Sequence, residues 1–209
     1  DIQEDRLIPH ALAKSVPFIG GKNSWDAGYT GEGQVIAILD TGVDKFHPML
    51  AGKIVSEACY STNDASYKAT SLCPGGVTSS IEQNSALPCT KNCEHGTHVA
   101  GIAAGKDGYH NGQSFSGVAK DAKIIAIQIF MQVNDEAACR AVGASAPCSF
   151  TSDFNILRGL SRVFELSASY PIASVNLSVG GDYYNSTCDS TFSGYLQKIS
   201  DLRSANIAT

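Results

Sequence analysis

Val35-Ile36-Ala37-Ile38-Leu39, followed at once by Asp40-Thr41-Gly42-Val43-Asp44, is the stretch on which the fold turns. The apolar run is short, partly β-branched and bounded by Gly33 and the Asp-Thr-Gly turn. It reads as a strand buried on both faces, the kind found in parallel sheets. Downstream, Ile124-Ile125-Ala126-Ile127 starts a second such strand, and Ala173 to Val179, stopped by Gly180-Gly181, forms a third. Helices fall between and after them. His95 to Ala104 carries Val99, Ile102 and Ala103 at helical spacing. Phe154 to Leu166 places Phe154, Leu157, Val163 and Phe164 on a common side, with Ser152 or Asp153 as N-cap. Thr191 to Ala205 repeats the pattern with Phe192, Tyr195, Leu196, Ile199 and Leu202, and Ile207-Ala208 opens a fourth strand. Strand and helix in alternation predict an α/β fold with a central, mostly parallel sheet. The domain reads as incomplete at the C-terminus, because the chain stops as a strand begins. Residues 1–33 read as an extended arm with turns at Gly20-Gly21 and Tyr29 to Gly33. Residues 51–94 and 133–152 read as surface loops.

The composition excludes several classes of function. Among 209 residues, 43% are apolar and 17% charged, an ordinary globular balance with enough chain for one sizeable core. A net charge of −5 argues against a nucleic-acid surface, which needs a basic stripe. The richest apolar stretch, Ile124 to Val133, is broken by Gln128 and Gln132. It falls short of the roughly 18 residues of a membrane span. Seven cysteines stand at 59, 73, 89, 93, 139, 148 and 188, all but the last in close pairs. Without the tight repeated C-x2-C knuckle of a zinc site, they read as disulfides 59–73, 89–93 and 139–148 in a secreted protein. Cys188 is left over, and its expected partner lies outside these residues.

In an open parallel sheet, functional residues gather outside the carboxyl ends of the strands, where Asp40 stands. An Asp in such a turn ordinarily only caps it. His95, however, begins a helix whose next positions, Gly96, Ala100 and Gly101, are small enough for close packing on the sheet. An Asp that accepts the Nδ1–H of a His fixes the tautomer and leaves Nε2 free as a general base, two-thirds of a serine-hydrolase triad. A zinc hydrolase on His95 and His98 is the rival reading. Helical zinc pairs need i, i+4 spacing with a Glu between them, whereas Glu94 precedes this pair.

Three segments closely resemble successive motifs of the subtilisin-like serine proteases: Asp40-Thr41-Gly42-Val43-Asp44 with His47-Pro48, His95 to Gly101, and Val175-Asn176-Leu177-Ser178-Val179-Gly180-Gly181. Asp before His is also that family's chain order. The resemblance implies a three-layer subtilisin-like fold, with residues 20–209 the N-terminal part of a catalytic domain. Residues 1–19 would be an arm or the end of a propeptide. Asp40 would orient the base, and His95 would act as base and acid. Ser178-Val179-Gly180 would be the edge that pairs with a polypeptide substrate, with Met131 to Val133 lining the other side of the channel. It further implies a secreted, monomeric endopeptidase, inhibited by its own propeptide and needing no cofactor for chemistry. A non-catalytic peptide-binding relative of the fold is the alternative, and it gives no reason to keep both Asp40 and His95.

The sequence departs from that pattern in two places. The Gly-Thr-Ser-Met-Ala segment that carries the family's nucleophile does not occur in these 209 residues, and neither does the oxyanion-hole Asn that follows the strand begun by Ile207-Ala208. The nucleophile is therefore expected outside them. In many members an Asp after the His-Pro pair helps bind structural calcium. Here that position is Met49, and the later ligand stretch is Lys106 to Ser116, with Asp107 and His110. The usual strong calcium site is expected to be lost or rebuilt, with disulfides restraining the loops instead. Asn185-Ser186-Thr187 is a formal glycosylation sequon, from which nothing is drawn.

Overall fold

The computed structural model describes residues 12–89, 93–180, 185–186 and 189–209. Residues 1–11, Gly181, Thr187 of the sequon and Cys188 lie outside the described residues. In chain order the elements are α1 (Leu12–Phe18), α2 (Gly21–Asp26), β1 (Val35–Asp40), β2 (Ile54–Tyr60), β3 (Ala69–Ser71) and β4 (Ser79–Ser80). They continue as α3 (His95–Ala104), β5 (Gly108–His110), β6 (Gln113–Phe115), β7 (Lys123–Gln128), β8 (Phe130–Val133) and α4 (Glu136–Ala141). The last are β9 (Cys148–Thr151), α5 (Asp153–Leu166), β10 (Ile172–Leu177) and α6 (Ser193–Ser204).

The central sheet runs β10-β1-β7-β2-β4, parallel throughout except for the short antiparallel β4. Alternation along β1 and β7 makes two cores. Ala37, Leu39, Ile125 and Ile127 face α5 and α6, where they meet Leu160, Val163 and Leu202. Ile38, Ile124 and Ala126 face α3 and meet Ala100 and Ala104. Side chains such as Ile38, Leu39, Ile124, Ile125 and Ile127 are fully buried. Each is worth about 1.5–3 kcal/mol over exposure, which is why a continuous apolar run sits here. Ala208 bridges to Ser174 in parallel, the first step of the strand expected there.

The three disulfides join Cys59 to Cys73, Cys89 to Cys93 and Cys139 to Cys148. Other expectations need correction. The arm contains two helices: α1 and α2 pack so closely that a Cβ on Gly21 would lie 2.6 Å from the Val16 side chain. Trp25 Nε1 then donates to the Val118 carbonyl, tying α2 down. The segment 51–94 is not all loop, since β2 belongs to the central sheet. Polar residues in and just before it hid it: Glu57 pairs with Lys45 at 2.6 Å, and the preceding Lys53 donates through Nζ to the carbonyls of Lys120 and Ala122. Within 133–152, Asp135 caps α4 through the Ala138 N–H, and β9 pairs with β8.

Two helix faces also differ from expectation. On α3 the fully buried stripe is Gly96, Ala100 and Ala104, whereas Ile102 is exposed. On α5, capped by Ser152, the buried face runs Asn155, Ile156, Gly159, Leu160, Val163 and Leu166, leaving Phe154 and Phe164 exposed. Gly159 sets that face, because a Cβ there would stand 2.9 Å from Leu39 Cδ2. Close approach to the sheet outweighs the larger side chains. The strand ending at Leu177 is also shorter than the run expected through Val179.

Candidate active site

Asp40 ends β1 with its carboxylate fully buried. Its Oδ1 accepts the Thr41 N–H at 2.7 Å, and its main-chain carbonyl accepts the Ile129 N–H at 3.0 Å. The turn then closes on another segment. Gly42 has φ +100°, and a Cβ there would lie 2.8 Å from the Leu87 carbonyl and the Pro88 nitrogen. The Val43 N–H donates to the Ala86 carbonyl at 2.8 Å.

The start of α3 rests on this turn. Its N-cap residue, Glu94, makes no side-chain hydrogen bond to the helix. The open N–H of Gly96 donates instead to Thr41 Oγ1 at 3.0 Å, so a side chain from a distant element caps the helix. The Asp44 N–H donates to Thr97 Oγ1 at 2.8 Å, and the Thr41 hydroxyl donates to the Cys93 carbonyl at 2.9 Å. A Cβ on Gly96 would lie 2.3 Å from the Gly42 carbonyl oxygen and 3.0 Å from Asp40 Cβ, so only glycine permits the contact. In consequence His95 Nδ1 lies 2.7 Å from Asp40 Oδ1. The carboxylate side chain is 0% exposed and the imidazole 54%. One ring nitrogen is held and the opposite edge of the ring is open to solvent. Asp40 Oδ2 is buried without a hydrogen-bond partner among the described residues.

Leu177, the last residue of β10, pairs with Leu39, so Ser178-Val179-Gly180 leaves the sheet beside Asp40. Ser178 and Gly180 are exposed, and Val179 is half-buried against the core. Asn176 Nδ2 donates to Ser178 Oγ at 2.8 Å. Met131 to Val133 lie in β8, which is hydrogen-bonded on both edges, to β3 and to β9. The edge strands of that small sheet are β3 and β9. His98 is exposed on α3, and among the described residues no three His, Cys, Asp or Glu side chains gather into a metal-holding group. Reading the sequence alone missed Thr41 as the link between turn and helix. A hydroxyl between the Asp and the Gly of the turn was its only signal.

A buried aspartate and a half-open histidine at the carboxyl ends of a parallel sheet fit the hydrolase class of α/β site. The family model described as "Subtilase family" matches residues 31–146. The Minor extracellular protease Vpr of Bacillus subtilis (strain 168) is 30% identical over 184 residues, covering 88% of this chain and 18% of that protein. Thermitase of Thermoactinomyces vulgaris is 35% identical over 111 residues, covering 53% of this chain and 31% of that protein. A solved structure described as proteases from Pseudoalteromonas arctica PAMC 21717 superposes with a TM-score of 0.55 at 23% identity, covering 87% of this chain and 49% of that one. The chain belongs to the subtilase family of subtilisin-like serine proteases. It spans less than a third of the length of either relative.

The family resemblance implies calcium near residue 49, and the residues present do not fit it. The Met49 thioether packs against Gly105 and Gly108: a Cβ on either would come within 3.0 or 2.7 Å of its Cε. The Phe115 ring edge joins the same contact. A thioether, an aromatic edge and two glycines offer no side-chain oxygen to a hard cation where the resemblance puts a carboxylate.

Proposed function

We propose that the full-length protein is a secreted serine endopeptidase in which Asp40 and His95 are two members of the triad and the nucleophilic serine lies outside these 209 residues. The observation that carries the reading is the 2.7 Å contact of His95 Nδ1 with a fully buried carboxylate, the ring's other edge remaining open. An ionised Asp only accepts, so Nδ1 bears the proton and Nε2 is free to take one from a serine hydroxyl. The same carboxylate stabilises the imidazolium formed as the tetrahedral intermediate develops. The proton then passes from Nε2 to the leaving amine. The substrate strand would lie between Ser178-Val179-Gly180 and the open edge of β9, held by main-chain hydrogen bonds that demand little of its sequence. Met131–Val133 lie in β8, both of whose edges are occupied, so the far wall is proposed at the neighbouring edge strand β9, Cys148–Thr151.

Three disulfides and the extracellular relative support a secreted location. We assign residues 20–209 to the catalytic domain, with the protein's own propeptide as its inhibitor. Fluorophosphonate labelling of the full-length protein tests the reading. A stoichiometric adduct that disappears in His95→Ala is expected. Wild-type protein that is folded, free of its propeptide and still unlabelled would overturn it.

A further inference from the structure

A closed circuit surrounds the Asp40–His95 contact. On one side run Asp40, Thr41, Gly42 and Val43. On the other, Ala86 accepts from Val43 N, Leu87 and Pro88 lie against Gly42, and Cys93, His95 and Gly96 return to Thr41 and Asp40. The Thr41 hydroxyl brackets the histidine, donating to the Cys93 carbonyl before it and accepting the Gly96 N–H after it. The Cys89–Cys93 disulfide closes the circuit covalently between the segment against Gly42 and the entry to α3. Cys93 itself is 1% exposed.

We infer that the Cys89–Cys93 disulfide, acting through the Cys93 carbonyl and Thr41, is a positioning element for His95. Its main effect falls on turnover and not on global stability. The inference rests on the triad reading above.

The separation of the cysteines separates the two roles. Cross-linking residues four apart removes less freedom from the unfolded chain than the Cys59–Cys73 link across 14, although the dependence is only logarithmic. If stability were the purpose, the short bridge would be the weaker of the two. Its placement matters more: Cys93 is two residues before the imidazole, and its carbonyl is the one that receives the Thr41 hydroxyl. Among the described residues that carbonyl accepts one hydrogen bond, from Thr41, and α3 has no side-chain cap of its own to fix its first turn. A proton-transfer geometry displaced by about 1 Å loses on the order of 100-fold in rate.

The test uses the full-length protein and a peptide substrate, with kcat, KM and Tm measured for each variant. Cys89→Ala/Cys93→Ala is expected to lower kcat at least about tenfold, with KM within about twofold of wild type. Its Tm should fall by less than that of Cys59→Ala/Cys73→Ala, which retains wild-type kcat. Thr41→Val should show the same kcat-selective loss and Thr41→Ser should recover most of it. This Thr41 pair carries the test if the cysteine variant does not accumulate. Wild-type kcat in either Cys89→Ala/Cys93→Ala or Thr41→Val overturns the inference, as does a loss of kcat that only follows Tm. Asp40→Asn separates the two levels. If it stays fully active, the triad reading itself fails; if it is inactive while the cysteine variant is normal, only the positioning role fails.

Discussion

A methyl group on residue 96 would stand 2.3 Å from the Gly42 carbonyl oxygen, with backbone on both sides of the clash. No rotamer relieves it, so α3 has to back away from the Asp-Thr-Gly turn and carry the imidazole with it. Gly96→Ala is therefore expected to cost about 1–3 kcal/mol of stability and on the order of 100-fold in kcat/KM, read by thermal melting and by peptide hydrolysis in the full-length protein. Retention of full activity in that variant would show that the helix start tolerates displacement. Asp40→Asn keeps the shape and removes the charge, so kcat is expected to fall on the order of 10⁴-fold with little change in Tm. Both candidate residues, which the fold brings together, were legible in the sequence as candidates because each stands at a local landmark, one after a buried strand and one at the start of a small-residue helix. Thr41 stood in the same quoted motif, but its role was not legible. The partners of its hydroxyl, the Cys93 carbonyl and the Gly96 N–H, are distant in sequence and carry no side-chain signature.

At the scale of elements, α5 shows where periodicity misleads. Phe154 and Phe164 are its largest apolar side chains, yet they are exposed, while Leu160 is 2% exposed in the core. Leu160→Ala is expected to cost about 2–5 kcal/mol, whereas Phe164→Ser should stay within about 0.5–1 kcal/mol; denaturant melts of the two variants compare them directly. Helix α4 adds a dependence on acid. The Ala138 N–H first, and then Lys68, hold the Asp135 carboxyl below the usual carboxylate range. A depressed native value gives stabilisation that is complete above the ordinary Asp range and is lost as pH falls through the native value. Asp135→Asn should therefore flatten part of the acid limb of Tm against pH, measured between about pH 5 and pH 2. A limb of unchanged steepness would place the acid sensitivity elsewhere. The strand β2 escaped the sequence pattern for a related reason. Polar side chains in and just before it find partners across the fold, Glu57 with Lys45 and the preceding Lys53 with two carbonyls, and those partners make burial tolerable.

For the whole molecule, the restraint around residues 105–116 comes from packing and hydrogen bonds: Met49 against Gly105, Gly108 and Phe115, and the Asp107 N–H on Ser116 Oγ. The full-length protein is expected to melt within about 2 °C of the same temperature with and without a calcium chelator, since ligand-linked stabilisation requires a ligand that is bound. A drop of about 10 °C would reveal a cation elsewhere in the domain. The short-range content of the sequence determined the parallel α/β sheet, the three disulfide pairings and the candidacy of Asp40 and His95. Each of these depends on residues adjacent or nearly so in the chain: an apolar run, cysteines in close pairs, a carboxylate after a strand. The tertiary structure decided which helix faces are buried, that β2 joins the sheet, that β8 has both edges occupied, and that Thr41 ties the turn to α3. These features arise where surfaces distant in sequence meet. Steric fit at glycines such as Gly96 and Gly159, and the pairing of buried polar groups, set the outcome there, and neither is written in the period of the chain.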